Sequence, residues 1–478
     1  MSAKCFFKDL FLPKPDILLL WLFVFLSGCS NSYTGGGNIG ASEAITPGLP
    51  FIMVGTSSNV TEEGDTQALI YLSIAESSLI FKNEMDSLVS RVSLNIEIQN
   101  SNKENVINKM EQLQFLKDPS SNYYDRKKIY REKTFALPPG EYKIKTTIRD
   151  LNSQKETTSE NELEIPDPID ESVFISNIRF YKKLHPDSNF ISVNGFNVNR
   201  GYDSLKFTYQ ITLGEEFSPL QIESKLIEYE TDTSPAQSMT DRNPRSTTIE
   251  YKGVDYSEYE ILQTTSRTLN TFGSVTIENS FEELPNGNYR FEVAASSPEG
   301  DAFFGVRDFS IKSENYPQVK SAVELARPLY YLMSKGEYED LLSINSEDSL
   351  KLAIDSYWLT NIKNTTTART LIRMYYERVE EANVQFGTYK EGWKTDPGMI
   401  YILFGPPLYV DDGFGEMAWI YEFDSGSRNP SIYFEDTQHG NTMSPFQNYM
   451  LRRSQSLFNL QYRQIQSWRD GSILYLSQ

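Results

Sequence analysis

Two carboxylates near the end of the chain have the residue types needed for acid and base chemistry. Glu391 and Asp396 flank the stretch Gly-Trp-Lys-Thr. A pair of carboxyl groups held at a set distance is the usual arrangement for glycoside hydrolysis. The spacing along the chain does not determine their separation in space, so a hydrolase that uses these acids is one hypothesis for this segment.

Two other interpretations of the same segment are open. Thr395 and Asp396 precede Pro397-Gly398, a sequence typical of a turn, and Trp393 could fill a gap between a helix and a strand. Alternatively, Trp393 and Asp396 could grip a partner together with Arg378, since tryptophan and arginine are common in binding hot spots. We favour the packing interpretation.

Composition restricts the other kinds of site. The 478-residue chain has two histidines, His185 and His439, and two cysteines, Cys5 and Cys29, which excludes a polyhistidine or cysteine-built metal site within one chain. The acidic stretch 411–416 lacks the ligand spacing of a calcium loop, so we expect a solvated loop there, as we do around His439. A net charge of −20 argues against nucleic acid as a partner. The motifs of P-loops, nucleophile elbows and dinucleotide sites are missing from the sequence.

The N-terminus predicts export and lipidation. The apolar run Ile17–Leu26 is shorter than the roughly 20 residues that span a bilayer, and it suits the hydrophobic part of a signal peptide. It ends at Leu26-Ser27-Gly28-Cys29, which resembles the lipobox of bacterial lipoproteins. The resemblance implies cleavage before Cys29 and a covalent diacylglycerol and acyl chain on that residue, with no other cofactor. The alternative is an ordinary secretory signal with an accidental cysteine.

Residues 1–28 are therefore the predicted signal peptide. Residues 29–50, rich in Ser, Asn, Gly and Thr, form a predicted flexible tether. Because no acidic residue follows Cys29 directly, known sorting rules favour the outer membrane, with the protein facing the periplasm.

Alternating apolar and polar residues then predict β-structure. Val92, Leu94, Ile96 and Ile98 share one face of a strand, and Phe207, Tyr209, Ile211 and Leu213 repeat the pattern. The sequence Leu-Pro-x-Gly-x-Tyr occurs at 137–142 and again at 284–289, each time before an alternating strand. We predict two immunoglobulin- or fibronectin-like sandwiches, residues 51–165 and 170–312, with a polar insertion at 231–256 in the second. One large sandwich is the alternative.

The pattern changes to helical after residue 317. Apolar residues at helical spacing predict one helix over 349–363, another after Thr365–Thr367, and a third over 454–468. We predict a strand at Met399–Phe404 and a hairpin formed by 417–423 and 431–435. The predicted class is therefore multidomain, with two all-β sandwiches followed by an α+β domain over 318–478.

The segment around Trp393 resembles the GWxTD domain of bacterial lipoproteins. The motif residues are Gly392, Trp393, Thr395 and Asp396. Matching positions flank the motif on both sides, and they are Arg378, Asn383, Gly405, Pro406 and Pro407. The family commonly has an arginine after the motif's aspartate, where this chain has Pro397. The resemblance implies no established activity.

These observations lead to one functional hypothesis and a rival. The lipobox, the spacer-like sandwiches and the missing catalytic motifs predict a membrane-anchored, non-enzymatic scaffold or adaptor that holds an envelope protein partner. The possible partner-binding positions are the residues that carry the resemblance, namely Arg378, Asn383, Gly392, Trp393, Thr395, Asp396, Gly405, Pro406 and Pro407. The rival is an envelope glycan binder, or the hydrolase considered above. The oligomeric state stays open.

Overall fold

The computed structural model describes residues 49–476, except for 62–63, 85–86, 118–127, 168–172, 194, 215–218, 242–243, 299, 301, 363, 414, 422–430 and 438–447. Cys29, the predicted signal peptide, nearly all of the predicted tether and His439 lie outside the described residues. The predicted fold class is confirmed, with two β-sandwiches followed by an α+β region.

The first sandwich places a three-stranded sheet against a five-stranded sheet. The smaller sheet has the order β1-β2-β6, with β1 (Ile52–Val60), β2 (Thr66–Ala75) and β6 (Lys128–Ala136). The larger has the order β3-β4-β7-β8, with β5 also paired to β4; its strands are β3 (Lys82–Glu84), β4 (Ser87–Asn100), β5 (Asn105–Lys117), β7 (Gly140–Asp150) and β8 (Glu156–Ile165). The predicted alternation in β4 is confirmed, because Val92, Leu94, Ile96 and Ile98 are all buried between the sheets.

The second sandwich has two five-stranded sheets. One has the order β11-β10-β13-β16, with β9 also paired to β13; its strands are β9 (Val173–Ile175), β10 (Arg179–Lys183), β11 (Phe190–Ser192), β13 (Ser204–Leu213) and β16 (Gly273–Glu282). The other has the order β12-β18-β17-β14-β15, with β12 (Asn197–Asn199), β14 (Leu220–Thr231), β15 (Val254–Leu269), β17 (Gly287–Ser296) and β18 (Ala302–Lys312). Its core stacks Phe207 between Phe180 and Phe291, with ring centroids 4.4 and 4.6 Å apart.

The Leu-Pro-x-Gly-x-Tyr repeat builds the same corner in both sandwiches. The Tyr142 hydroxyl donates to the Pro138 carbonyl at 2.8 Å, and the Tyr289 hydroxyl donates to the Pro285 carbonyl at 3.0 Å. Each bond ties the start of a strand to the turn four residues upstream, as in the tyrosine corner of immunoglobulin-like sandwiches.

The C-terminal region packs helices against a four-stranded antiparallel sheet of order β19-β20-β21-β22. The strands are β19 (Tyr409–Gly413), β20 (Glu416–Ile420), β21 (Ser431–Asp436) and β22 (Tyr449–Leu451). The helices are α1 (Ile249–Lys252), which precedes β15 in the second sandwich, and then α2 (Ala322–Ala326), α3 (Lys335–Leu342), α4 (Glu347–Asn361), α5 (Thr365–Phe386), α6 (Asp396–Phe404), α7 (Phe458–Asp470) and α8 (Ile473–Leu476). Trp358, Tyr375 and Trp468 meet edge to face at the centre of this core. Within the described ranges, no helix is both long and apolar enough to cross a membrane.

Two sequence predictions in this region are wrong. Met399–Phe404 is part of helix α6 rather than a strand. Its apolar run is buried on every side, so it lacks the one-sided periodicity by which a helix is recognised in a sequence. Within the acidic stretch 411–416, residues 411–413 end β19 and Glu416 begins β20, so these residues are paired strands rather than a solvated loop, and residue 414 lies outside the described residues. The predicted hairpin does form between β20 and β21, although β20 ends at Ile420 and residues 422–423 of the predicted strand lie outside the described residues.

Candidate functional site

The candidate site is centred on residues 387–396, which we call the motif loop. It joins the end of α5 to the start of α6 and contains a 3₁₀ turn at Gly392–Lys394. Thr395 is the N-cap of α6, since its Oγ1 accepts from the Gly398 N–H at 3.1 Å. The same hydroxyl donates to the Gly392 carbonyl at 2.7 Å. Thr395 therefore closes the loop and starts the helix at once, and Pro397 fits the first turn, where no N–H is needed.

Gly392 is required by a close approach of two backbones. A Cβ at this position would overlap the Ala382 carbonyl and would lie 2.7 Å from the Asn383 Cα, both on α5. Because these atoms belong to a helix backbone, they cannot move aside as a flexible side chain would. The motif loop therefore lies directly on the last turns of α5.

Replacing Gly392 by alanine is expected to destabilise this region by at least about 1–3 kcal/mol, the usual cost of forcing extra volume into a packed core. The measurement is chemical unfolding followed by circular dichroism in the helical band. Gly336→Ala is the matched control, because a Cβ there meets no atom and Gly336 lies in helix α3. We expect Gly336→Ala to be neutral or stabilising. Equal effects of the two substitutions would contradict the close approach.

Trp393 is buried and takes part in three hydrogen bonds, two through its backbone and one through its indole. Its backbone N–H donates to Asn383 Oδ1 at 3.0 Å, its Nε1 donates to Glu391 Oε2 at 3.0 Å, and its carbonyl accepts from the Tyr331 hydroxyl at 2.7 Å. Only 3% of the tryptophan is exposed. Trp393 thus anchors the motif loop to α5 and to the 3₁₀ turn at 327–331 that contains Tyr331.

Glu391 is held as a carboxylate inside this loop. Burial is the largest effect and raises the pKa of this carboxyl group, but the Lys394 ammonium, 3.0 Å away, together with Lys312 and Arg327 outweighs it and holds the Glu391 pKa below its usual range. Its second partner is the Trp393 indole. A carboxylate committed to these two donors is a structural acceptor rather than a proton donor at neutral pH.

Asp396 forms a buried ion pair with an arginine far along the chain. Its Oδ1 accepts from Arg453 Nη2 at 2.5 Å and its Oδ2 from Arg453 Nη1 at 2.8 Å, and both side chains are almost fully buried. Oδ2 also accepts from the Leu451 N–H at 2.6 Å. Arg453 Nε reaches the Ser238 carbonyl at 3.1 Å. Through this pair the start of α6 is tied to β22 and to the second sandwich.

Arg378 stabilises the other end of α6. Its Nη1 donates to the Ile402 carbonyl at 3.2 Å, where the helix leaves carbonyls without partners. Burial lowers the Arg378 pKa, and its guanidinium lies over the Trp468 ring. Gly405 has φ +83°, and a Cβ there would lie 2.7 Å from Arg378 Nη2. The positive φ angle and the nearby guanidinium both favour glycine, which has no Cβ, at the end of α6.

The remaining predicted positions have different surroundings. The Asn383 Nδ2 donates to the Pro317 carbonyl at 2.9 Å, so this side chain joins α5 to the segment that leaves the second sandwich. Pro406 is exposed and Pro407 half-buried, at the start of the sheet. Of the predicted site residues, the structure therefore brings the motif and its upstream partners together in one buried unit. The geometry favours the packing role for them over direct contact with a partner.

The motif loop is also clamped by the second sandwich. The segment 232–253, most of the predicted polar insertion, places Ala236 and Met239 in the core of the C-terminal region. Lys390 Nζ donates to Asp232 Oδ2 at 2.9 Å, and both side chains are nearly buried. Asn288 of β17 donates to the Tyr389 carbonyl at 2.9 Å. Sequence reasoning missed this contact, because the insertion is polar and gives no signal of where it packs.

Lys312, the last residue of β18, is the third clamp. Its Nζ donates to the Thr388 carbonyl at 2.9 Å, and burial lowers the Lys312 pKa from 10.5 to about 7, against the opposing attraction of Glu391. Lys390 and Lys394 lower it further. Because the unfolded chain binds this proton up to about pH 10.5 and the folded chain only up to about pH 7, folding stability rises with pH between these values.

We expect Lys312→Met to remove this dependence. The native chain should gain up to about 1.4 kcal/mol of unfolding free energy per pH unit from this group above pH 7, and the variant should not. Unfolding of both proteins between pH 7 and about 10.5 is the measurement, and the unfolding free energy of the variant minus that of the native chain should fall as pH rises. Lys335→Met, at an exposed lysine, is the control. Parallel curves for the native chain and Lys312→Met would contradict the prediction.

A cavity of about 960 Å³ opens beside the motif loop. Its walls carry Tyr330, Tyr331, Tyr338, Phe458 and Tyr462, and we call this surface the aromatic groove. Tyr330, Phe458 and Tyr462 are 38%, 51% and 56% exposed. Sequence reasoning did not single out these residues, since they come from two parts of the chain, 330–338 and 458–462, that are more than a hundred residues apart. Across the described ranges, no cluster of three or more His, Cys, Asp or Glu side chains could hold a metal ion.

Comparison with known proteins gives one family match. Residues 295–470 match the model of the GWxTD domain, so the match begins on β17 of the second sandwich, ahead of the predicted boundary at 318. No curated protein matches the sequence.

Several solved structures show limited similarity. Red sea bream transglutaminase is 10% identical, with 55% of this chain and 31% of that chain covered and a TM-score of 0.18. Dimeric latent PorU from Porphyromonas gingivalis is 12% identical, with coverages of 57% and 21% and a TM-score of 0.22. The C-terminal domain of the antigen I/II-family protein AspA from Streptococcus pyogenes is 9% identical, with coverages of 56% and 100% and a TM-score of 0.15. This chain thus spans less than a third of the length of the first two.

The family match agrees with the resemblance that Gly392, Trp393, Thr395 and Asp396 indicate in the sequence. The matched range also includes strand β18 and the two helices, α5 and α6, that the motif loop joins. Residues 295–470 of this chain therefore form a GWxTD domain.

Proposed function

We propose that this protein is a membrane-anchored envelope lipoprotein that acts as a non-enzymatic scaffold and holds a protein partner in the aromatic groove. The observation that carries the proposal is the groove itself. It is large and open, and its exposed wall residues include Tyr330, Phe458 and Tyr462, of the aromatic types that are enriched at protein interfaces.

The motif loop contributes by fixing the groove. Tyr331 lines the groove, and its hydroxyl donates to the Trp393 carbonyl at 2.7 Å. Ala236 and Ser238, from the second sandwich, line the same cavity, and Ser238 accepts from Arg453 of the buried ion pair. The groove is therefore assembled where the sandwich and the GWxTD domain meet. A partner bound there would be held in a fixed orientation to the sandwich.

Anchoring rests on the sequence. Lipid on Cys29 would place the chain at the outer membrane, facing the periplasm, and two or more acyl chains are sufficient for stable attachment. Metabolic labelling with an alkyne fatty acid tests this part. The native chain should carry the label and sediment with membranes, and the Cys29→Ser variant should do neither. Labelling that survives in Cys29→Ser would overturn the anchor.

The partner hypothesis is tested by crosslinking in cells and affinity purification. A Phe458→Ala/Tyr462→Ala double variant removes two exposed groove walls and should fold normally. Leu352→Ala, on the exposed face of α4, is the matched control. We expect one defined protein to be captured by the native chain and the control, and lost from the groove variant. If the native chain, the control and the groove variant all capture the protein equally, it binds outside the groove. If none of them captures a protein, the scaffold hypothesis is refuted.

Glycan binding is the second candidate, since the rings that line the groove could also stack on sugars. Sedimentation of the native chain with purified envelope glycan, lost in the groove variant, would support it over a protein partner. Hydrolysis is less well supported. Glu391 is paired with Lys394 and Asp396 with Arg453, so each acid is neutralised by its own cation.

A further inference from the structure

The free edge of the GWxTD sheet is a second candidate interaction surface, separate from the aromatic groove. Among the described strands, β19 pairs only with β20, so one side of its backbone has no strand beside it. Leu408, Tyr409 and Val410 are 68%, 59% and 43% exposed. Successive residues of a strand point to opposite faces, so β19 exposes apolar side chains on both.

Two longer edge strands in the protein, β5 and β15, are protected along their whole length, whereas the charges of β19 lie only in its second half, at Asp411 and Asp412. β5 and β15 carry charged residues at short intervals along their length, such as Lys109 and Glu111 in β5 and Glu258 and Glu260 in β15. Both are also paired through irregular registers that interrupt a regular edge. Interspersed charges and bulges are the usual means by which proteins block pairing at an edge. The register of β19 with β20 shows no shift, and three apolar residues come in succession.

The N-terminal limit of this edge is set by the chain itself. Pro406 and Pro407 come directly before Leu408, and proline lacks the N–H that a further ladder bond would use. The available edge is therefore about six residues, 408–413, which is the length of an ordinary short strand.

Charge repulsion makes a second copy of this chain an unfavourable partner for β19 and favours a different protein. If two copies of β19 paired antiparallel about the middle of the strand, Asp411 would lie opposite Asp411 of the other copy. Asp411 is exposed, and like charges in direct opposition destabilise a sheet. The net charge of −20 on each chain adds to the repulsion. A strand with a lysine or arginine at that position would be attracted instead.

We propose that β19 binds an extended segment of a partner protein by strand addition, with apolar side chains against Leu408–Val410 and a basic residue opposite Asp411. Backbone bonds to the free edge would provide affinity, and the two side-chain features would provide specificity. This site does not depend on the proposed function of the groove.

The test is selection of a random peptide library on the full-length chain in detergent. We expect enriched peptides to alternate apolar residues with lysine or arginine, and to slow amide hydrogen exchange at 408–413. Val410→Lys should weaken their binding by about tenfold or more, since an edge lysine blocks pairing. Asp411→Lys should shift the enriched sequences from basic to acidic. Leu352→Lys is the exposed control and should bind as the native chain does.

Three results would overturn the proposal. They are a selection without basic enrichment, peptides that bind Val410→Lys as well as the native chain, and a native dimer that Leu408→Lys dissociates in light scattering. The Phe458→Ala/Tyr462→Ala variant should bind the selected peptides normally. Peptide binding lost in that variant would assign the peptides to the groove instead of to β19.

Discussion

Replacing Asp396 by asparagine is expected to lower the free energy of unfolding of the GWxTD domain by about 3–5 kcal/mol. The carboxylate is buried against Arg453, and the substitution leaves the guanidinium buried without a countercharge. It also weakens the acceptor for the Leu451 N–H. Chemical unfolding followed in the helical band of circular dichroism reports this domain, because all helices described except α1 lie within residues 322–476.

The neighbouring arginine provides a matched control. Arg452 pairs with Glu416 and Glu435 on the surface of the sheet, and its side chain is 45% exposed. Arg452→Gln should change stability by at most about 1 kcal/mol, as exposed pairs usually do. Arg453→Gln should be far more costly.

A double-mutant cycle separates the pair from the fold around it. If Asp396 and Arg453 act on each other, Asp396→Asn with Arg453→Gln should cost less than the sum of the two single changes, by at least about 1 kcal/mol. Additive effects would show that the two side chains stabilise the domain independently, which would contradict the bidentate geometry.

The β-domains were largely predictable from the sequence, and the reasons are local. Strand alternation in β4 and the Leu-Pro-x-Gly-x-Tyr corners depend on residues within a few positions of one another. Helix α5 was predictable for the same reason, because Leu371, Tyr375 and Val379 lie on one face and are buried. A periodic pattern of apolar residues indicates a helix or strand only when one of its faces is buried and the other is exposed.

The parts of the site that sequence reasoning missed depend on distance or on complete burial. The segment Met399–Phe404 of helix α6 is apolar on all sides, so only Thr395 and Gly405 mark the ends of the helix, and in the sequence Thr395 is equally typical of a turn. Arg453 lies 57 residues after Asp396, and the clamp residue Asp232 lies 158 residues before Lys390. Neither pairing leaves a local pattern. The family resemblance identified the motif residues, but only the fold shows that they form a joint between two domains.

The second large effect is expected from Trp393→Ala, with a loss of about 3–5 kcal/mol of unfolding free energy, because a fully packed ring is replaced by a cavity. The indole bond to Glu391 is lost as well. Tyr475→Ala, at a residue that is 80% exposed in helix α8 of the same C-terminal region, is the control and should be within about 0.5 kcal/mol of the native chain.

Trp393→Phe distinguishes packing from partner contact at the motif. Phenylalanine keeps most of the ring volume and loses the Nε1 donor, so stability should recover partly, and with it the position of Tyr331 in the aromatic groove. We therefore expect Trp393→Phe to capture the groove partner as the native chain does at a temperature where both are folded. A folded Trp393→Phe protein that loses the partner would instead mean that the indole itself takes part in binding. Its 3% exposure argues against direct contact, so under the proposed function the motif would affect a partner only through the groove that it holds in place.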